Sequence, residues 1–337
     1  MKNKTTLLFI AIFNLGFSIF SASAPSWVND IASVYPKNQY FSALGYGKDT
    51  ESARLNALGT LTQNIQSSVQ VVTNSFLSEQ QDESGKVSRN SSIEKSVQVA
   101  SSLTLTGVDY TEPYFNKKKK LYYVGAFLEN EMLFEQISVK AERPLKQMNS
   151  LLERAETMAK ENDPFNSYSI LKDAQSYADD FLSWYYIMYT ADKKQAFSIY
   201  KKDVANAYNL PVIMKEYLSE CLISIKSDTN FDKLNRDKFV SILKKSGFSI
   251  AGEGINTSKA LYTADVKVIL NLKTEGDGDD TLYVANPSIS INLLNKDSIL
   301  YTWTAESNEK IISYDKSNIS KKCSSSISKL LDEYPIF

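Results

Sequence analysis

Few residues of this chain are of the kind that carry out covalent chemistry. The sequence has 337 residues and no histidine. That absence removes the commonest general base, the Ser-His and Cys-His nucleophile arrangements and most catalytic zinc sites. Carboxylate and lysine chemistry remain. Two carboxylate pairs stand out, Asp179-Asp180 and Asp279-Asp280. Glycoside hydrolysis needs two acids roughly 5–10 Å apart across a cleft. Neighbours on a helix diverge and neighbours in a turn face water, so neither pair supplies that geometry by itself. The stretch Gly276-Asp277-Gly278-Asp279-Asp280 offers oxygen ligands but lacks the ligand ladder ending in Glu that a calcium loop needs, and it reads as a hairpin turn. Gly45-x-Gly47 precedes a helix but lacks the third glycine of a dinucleotide fingerprint and the Lys-Ser/Thr of a P-loop. No catalytic, cofactor-binding or metal-ligating residues are therefore assigned.

Three other groups have two readings each. Trp184, Tyr185 and Tyr186 form either a binding surface for glycan or peptide or packing against a neighbouring domain. Cys221 and Cys323, the two cysteines, form one disulfide in an oxidising compartment or remain two unrelated buried thiols. The run Lys117-Lys118-Lys119-Lys120 meets an anionic surface or is a solvated turn that blunts a sheet edge.

The elements that position these groups begin with a leader. Lys2 and Lys4 open it, Leu7 to Phe20 is apolar, and Ser21-Ala22-Ser23-Ala24 supplies small residues. The apolar run is shorter than the roughly 20 residues a bilayer span requires. Residues 1–23 are expected to be a cleavable signal peptide, with cleavage after Ser23 keeping Pro25 away from the cut. No cysteine ends the leader, so lipidation is not expected. No later stretch reads as a membrane span. The expected location is the periplasm or the outer-membrane periphery.

Composition fits a folded exported protein. Hydrophobic residues make up 43% and charged residues 23%, which argues against disorder. Basic and acidic residues number 38 and 39. Only Arg54, Arg89, Arg143, Arg154 and Arg236 carry guanidinium groups. Without a basic face or a supply of bidentate forks, a nucleic-acid partner is not expected.

Periodicity places the elements. Tyr40 to Gly47 reads as a strand, and Asp49 as the N-cap of a helix whose stripe is Ala53, Ala57, Leu58, Leu61 and Ile65. Trp27 is expected to tie the new N-terminus into the core. Val69, Val71 and Thr73, and later Val97, Val99, Leu103 and Leu105, alternate with polar residues as strands do. Residues 78–92 are polar and read as a mobile loop or hairpin tip. Val108–Phe115 and Leu121–Leu128 read as a hairpin about the lysine run. Residues 131–205 read as a helical hairpin, with Asn162-Asp163-Pro164 between its helices and Pro211 ending the last helical connector. That hairpin is similar to a single tetratricopeptide-type unit, though no repeat at a fixed period follows. Residues 211–337 read as a second domain: a strand at 222–225, a helix at 231–246 stopped by Gly247, strands at 264–272, 282–294 and 299–305, and a closing helix at 318–331. The fold class is thus α+β, two α+β domains with mainly antiparallel sheets separated by the helical hairpin.

Trp27-Val28, the pattern from Phe41 to Gly47, the helix with Ala53 and Ala57, and the strand Tyr122-Tyr123-Val124 occur in that order. Together they resemble the Lpp-twenty-like lipoprotein domain of bacterial envelopes over residues 25–140. They are also similar to the N-terminal domain of the flagellar H-ring protein. The resemblance implies an α+β envelope domain without established catalytic residues, and so carries no active site onto this chain. The missing lipid-bearing cysteine departs from the lipoprotein pattern and puts direct membrane anchoring in doubt. The order of elements in residues 211–337 is similar to small periplasmic layers of the TolB N-terminal kind, a likeness of fold alone. The expectation is a non-enzymatic structural or assembly module with other envelope proteins as partners, in a flagellar or other trans-envelope assembly or in cell-wall synthesis. A periplasmic glycan- or peptide-binding protein is the alternative, and a carboxylate-dependent hydrolase the third reading.

Overall fold

The computed structural model describes residues 23–79, 86–252, 259–276, 281–333 and 336. The expected leader, apart from Ser23, and the acidic turn Asp277-Gly278-Asp279-Asp280 lie outside the described residues, as do residues 80–85 of the polar stretch. Among the described residues the chain forms eight α-helices and three mainly antiparallel sheets, an α+β structure. The described residues divide into two compact units, one made of those within 1–68 and 101–133 and the other of those within 69–100 and 134–337.

The first unit is organised on strand β1 (Tyr40–Gly47). It pairs antiparallel with β4 (Leu121–Glu129), which also pairs with β2 (Asp109–Tyr110) and β3 (Tyr114–Asn116). The expected first hairpin strand is therefore two short pieces, interrupted at Thr111–Pro113. Helix α2 (Thr50–Glu79) starts where Asp49 accepts the Ser52 N–H at 2.7 Å, as its sequence position implies. Ala53, Ala57, Leu61 and Ile65 of α2 are buried against one face of the sheet. The approach is close enough that a Cβ on Gly45 would lie 2.2 Å from the Ala57 nitrogen and 2.3 Å from the Ala53 oxygen. Asn56 Nδ2 and Asn64 Nδ2 of α2 donate to the carbonyls of Tyr46 and Ser42, covering part of the outer edge of β1. The N-terminal segment, α1 (Ser26–Asn29) and a 3-10 turn (Ile31–Ser33), takes the opposite face. There Ile31 reaches Gly125, Tyr35 stacks on Phe127 at 3.8 Å, and Trp27 is half-buried.

The second unit contains the later part of α2, where a strand was expected. Val69 and Thr73 are fully buried and Val71 is 70% exposed. Burial thus continues in steps of four from Ile65, which is a helical stripe, and the alternation with Val71 is incidental. Val97 and Val99 likewise lie in helix α3 (Lys86–Ser101), whose buried positions Ser96 and Ala100 are four apart; Leu103 and Leu105 follow it in an irregular segment. Three long helices come next, where a pair was expected: α4 (Asn130–Lys160), α5 (Pro164–Ala191) and α6 (Lys193–Glu220). Pro144 and Pro211 both sit inside helices, so neither ends one. Asp163 and Asp192 cap α5 and α6 through the N–H groups of Asn166 and Gln195.

The last part of this unit is a five-stranded sheet in the order β11-β10-β7-β5-β6, with a small sheet β12-β9-β8. The strands are β5 (Leu222–Ser227), β6 (Ser249–Ile250), β7 (Tyr262–Ile269), β8 (Lys273–Glu275), β9 (Leu282–Ala285), β10 (Ser288–Asn295), β11 (Ser298–Glu306) and β12 (Ile311–Ser313). The expected single strand at 282–294 is two strands in different sheets, because Pro287 between them has no N–H for a ladder. Helix α7 (Lys233–Lys245) stops at Gly247, whose φ of +104° only glycine adopts readily. Helix α8 (Lys316–Glu333) packs beside α7 through a polar seam: Asn235 Nδ2 donates to the Ser324 carbonyl and Lys238 Nζ to the Ser328 carbonyl. Buried Tyr262 fixes β7 to the start of α5. Its hydroxyl donates to Asp163 Oδ1 and accepts the Phe165 N–H, each at 3.1 Å. Burial raises the phenol's pKa, so it stays protonated and keeps donating.

Cys221 and Cys323 are free buried thiols, which is the second of their two readings and not the disulfide. Cys221 belongs to the main core cluster with Ile223 and Tyr262, and Cys323 to a separate small one with Ala285 and Ile319.

Two predictions follow from this packing. Gly45→Ala puts a methyl group into the α2 backbone, so it should lower stability by about 3 kcal/mol, the upper end of ordinary overpacking; thermal unfolding checks it, and an unchanged melting temperature refutes the close approach. Burial pushes the Cys221 thiol up to about 12, and raises that of Cys323 as well. Both should stay protonated and unreactive to a thiol reagent at pH 8 in the native protein. Both should react after unfolding without reductant, whereas a disulfide would leave none.

Candidate functional site

The aromatic triplet on α5 is not an open platform. Tyr185 and Tyr186 are each 1% exposed, and Trp184 is half-buried with Lys140 Nζ 5.4 Å from its ring centre. The cause is spacing: Ala178, Phe181, Leu182, Tyr185 and Tyr186 continue one buried stripe of α5. Phe76 of α2 packs on Tyr185, Tyr186 and Tyr189, and the hydroxyls of Tyr186 and Tyr208 lie 2.6 Å apart. Burial raises the pKa of Tyr185, with Tyr189 and Tyr208 adding to it. Tyr185 and Tyr186 fill the helical core and Trp184 is half-buried, so Trp184, Tyr185 and Tyr186 do not form the open binding surface that was one of their two readings. Asp180 pairs with Lys95 of α3, and Asp179 stands 3.4 Å from the Gln175 side-chain amide. The pair Asp279-Asp280 lies outside the described residues. Among the described residues no group of three or more Cys, Asp or Glu side chains could hold a metal ion.

The structure does assemble a polar-aromatic surface at one end of the first unit's sheet. Asn116 builds the turn: its carbonyl accepts the Lys120 N–H at 2.8 Å and its Oδ1 the Lys119 N–H at 3.0 Å, with Lys120 at φ +55°. This presents Lys117 to Lys120 to solvent. Register then gathers aromatic residues behind the turn. Tyr123 of β4 lies opposite Tyr46 of β1 and opposite Tyr114 of β3, so the three share a face. Ring centres are 6.0 Å apart for Tyr46 and Tyr123 and 6.5 Å for Tyr114 and Tyr123. Lys119 Nζ stands 5.8 Å from the centre of the Tyr123 ring, within cation–π reach. Phe115 and Tyr122, opposite each other on the other face, are 4.8 Å apart. Tyr46 is 59% and Phe115 42% exposed. Lys48, next along from Gly47, is exposed as well. The acidic residues nearest in sequence are Asp49, Glu51 and Glu112, all exposed. Asp49 is held to its helix cap, and the Ser52 hydrogen bonds keep its carboxyl below the usual range. The lysine run and Tyr122-Tyr123 were visible in the sequence. Their meeting with Tyr46 and Tyr114 depends on strand register, which no local pattern reveals.

A second feature is a groove of about 740 Å³ along α8 and the segment before β12. Lys310, Lys321, Lys322 and Lys329 line it, with Glu309 and Glu333 opposing them in charge. Lys322 Nζ donates to the Ile312 carbonyl at 2.9 Å, which fixes its position while its charge adds to that of the other three lysines.

No protein-family model and no curated protein sequence matches the chain. Among solved structures, the chain is similar to the secreted protein HP1454 from Helicobacter pylori at 12% identity and a TM-score of 0.31, over 88% of this chain and 99% of that one. It is also similar to a minor lipoprotein from Acinetobacter baumannii at 14% identity and a TM-score of 0.24, over 34% of this chain and 87% of that one.

Proposed function

We propose that the chain is an exported cell-envelope protein that works without covalent chemistry, as a structural or assembly module docking other envelope components. The observation that carries this reading is the exposed end of the first unit's sheet, where lysines and aromatic rings converge on solvent. Aromatic side chains elsewhere, such as Tyr185 and Tyr186, are core filling. The leader of residues 1–23 supports export, and residues 25–140 are read as the Lpp-twenty-like domain. No helix among the described residues is long and apolar enough to cross a membrane. Support of a flagellar or other trans-envelope assembly and regulation of cell-wall synthesis are the two roles this fits. A second reading, a periplasmic protein that binds a glycan or peptide, draws on the lysine-lined groove along α8 in place of the buried α5 triplet.

Two measurements in cells bear on the proposal. Removal of residues 1–23 should hold the chain in the cytosol, while the full chain fractionates with the envelope; a full chain found only in the cytosol ends the proposal. A photo-crosslinking side chain at Phe115 should capture an envelope component that the same group at exposed Leu234 of α7 does not. Equal capture at both positions would show that the sheet end has no docking role.

A further inference from the structure

We propose that the lysine-bearing end of the first unit's sheet docks reversibly onto an anionic bilayer surface. The inference deepens the envelope reading above and rests on it. Five exposed lysines, Lys48 and Lys117 to Lys120, flank an aromatic cluster in which Tyr46 and Phe115 are substantially exposed on opposite faces of the sheet. Tyrosine and lysine side by side suit a membrane interface: the ring settles at headgroup depth with its hydroxyl in water, and the ammonium group is drawn to lipid phosphate. Lys117 to Lys120 stand at the tip of a hairpin, and Lys48 at the end of β1 beside it. They therefore meet a broad surface before they could enter a pocket on a partner protein. They are also lysines throughout, compact hydrated point charges without the rigid fork that reads one particular carboxylate or phosphate. Such charges suit a diffuse negative field, which lysines feel additively within a Debye length of about 8 Å. Opposing them are Asp49, which stays ionised while it caps α2, and the exposed Glu51 and Glu112, so the lysines outnumber these acids five to three. The contact replaces none of the core, because every side chain it uses except Tyr123 is outside the buried set.

The test is vesicle flotation of the full chain purified after export, with phosphatidylglycerol-containing vesicles against phosphatidylcholine vesicles. The expected result is at least a tenfold preference for the anionic vesicles, lost in high salt. The combined change Lys117→Gln, Lys118→Gln and Lys119→Gln should lower that binding at least tenfold with the melting temperature unchanged. Tyr46→Ser with Phe115→Ser should lower it severalfold while the salt dependence remains. Equal flotation with both vesicle types overturns the proposal, as does full binding by the triple glutamine variant. Capture of an acidic protein at Phe115 without vesicle binding overturns it in favour of a protein partner. Failure of export appears separately, as absence of the chain from the envelope fraction.

Discussion

Backbone contact between α2 and β1 is the constraint on which the first unit depends. A helix resting on a sheet is normally held off by side chains of both elements. Here Gly45 and Gly47 on the strand and Ala53 and Ala57 on the helix remove that spacing. The approach brings Asn56 and Asn64 within reach of the carbonyls along the outer edge of β1, so the same geometry that buries the stripe also blunts the strand edge. It leaves the sheet's other face to the N-terminal segment, where Gly125 makes a comparable space for Ile31 and Thr111. Small residues at a few positions thus decide which elements cover which face.

Those small residues are why the β1–α2 unit was legible in the sequence: a strand ending in Gly-x-Gly, a capping Asp49 and alanines four apart allow few other arrangements. The stop of α7 at Gly247 and the closing helix α8 were legible for similar reasons, since a positive-φ glycine and a one-sided apolar stripe are local signals. Beyond Ile65 the sequence supports two periods at once. Val69, Val71 and Thr73 fit a strand, while Ile65, Val69 and Thr73 fit a helix, and the longer stripe wins because each added turn extends existing hydrogen bonds. Pro211, read as a helix stop, lies inside α6, and Pro144 likewise lies inside α4, whereas Pro287 divides what reads as one strand between two sheets.

The chain's many tyrosines explain why its aromatic clusters are poor guides to binding. A buried tyrosine adds apolar area but needs a partner for its hydroxyl. Tyr186 meets Tyr208, and Tyr262 meets Asp163 and the Phe165 N–H. Tyr262 in this way joins a strand of the C-terminal sheet to the first turn of α5 and satisfies an orphan donor there. Trp184-Tyr185-Tyr186 stayed open between a surface and packing in sequence. Phe76 packs on Tyr185 and Tyr186, while half-buried Trp184 has Lys140 beside its ring.

The same logic run in reverse picks out the sheet end of the first unit. Tyr46 and Phe115 have none of the enclosure that Tyr185 and Tyr186 have, although both stand on strands with a packed core beneath. A solvated turn accounts for the lysines, and cross-strand pairing with Tyr123 and Tyr122 accounts for part of the rings, yet Tyr46 and Phe115 keep 59% and 42% of their surface in water. Strand register, not proximity in sequence, sets Tyr46, Tyr123 and Tyr114 side by side and puts Lys119 over the middle ring. Charge and apolar area therefore occupy one place by construction of the sheet. A surface that attracts anions and then offers them an apolar footing has more to gain from contact than either feature has alone, which is the physical reason for proposing docking there.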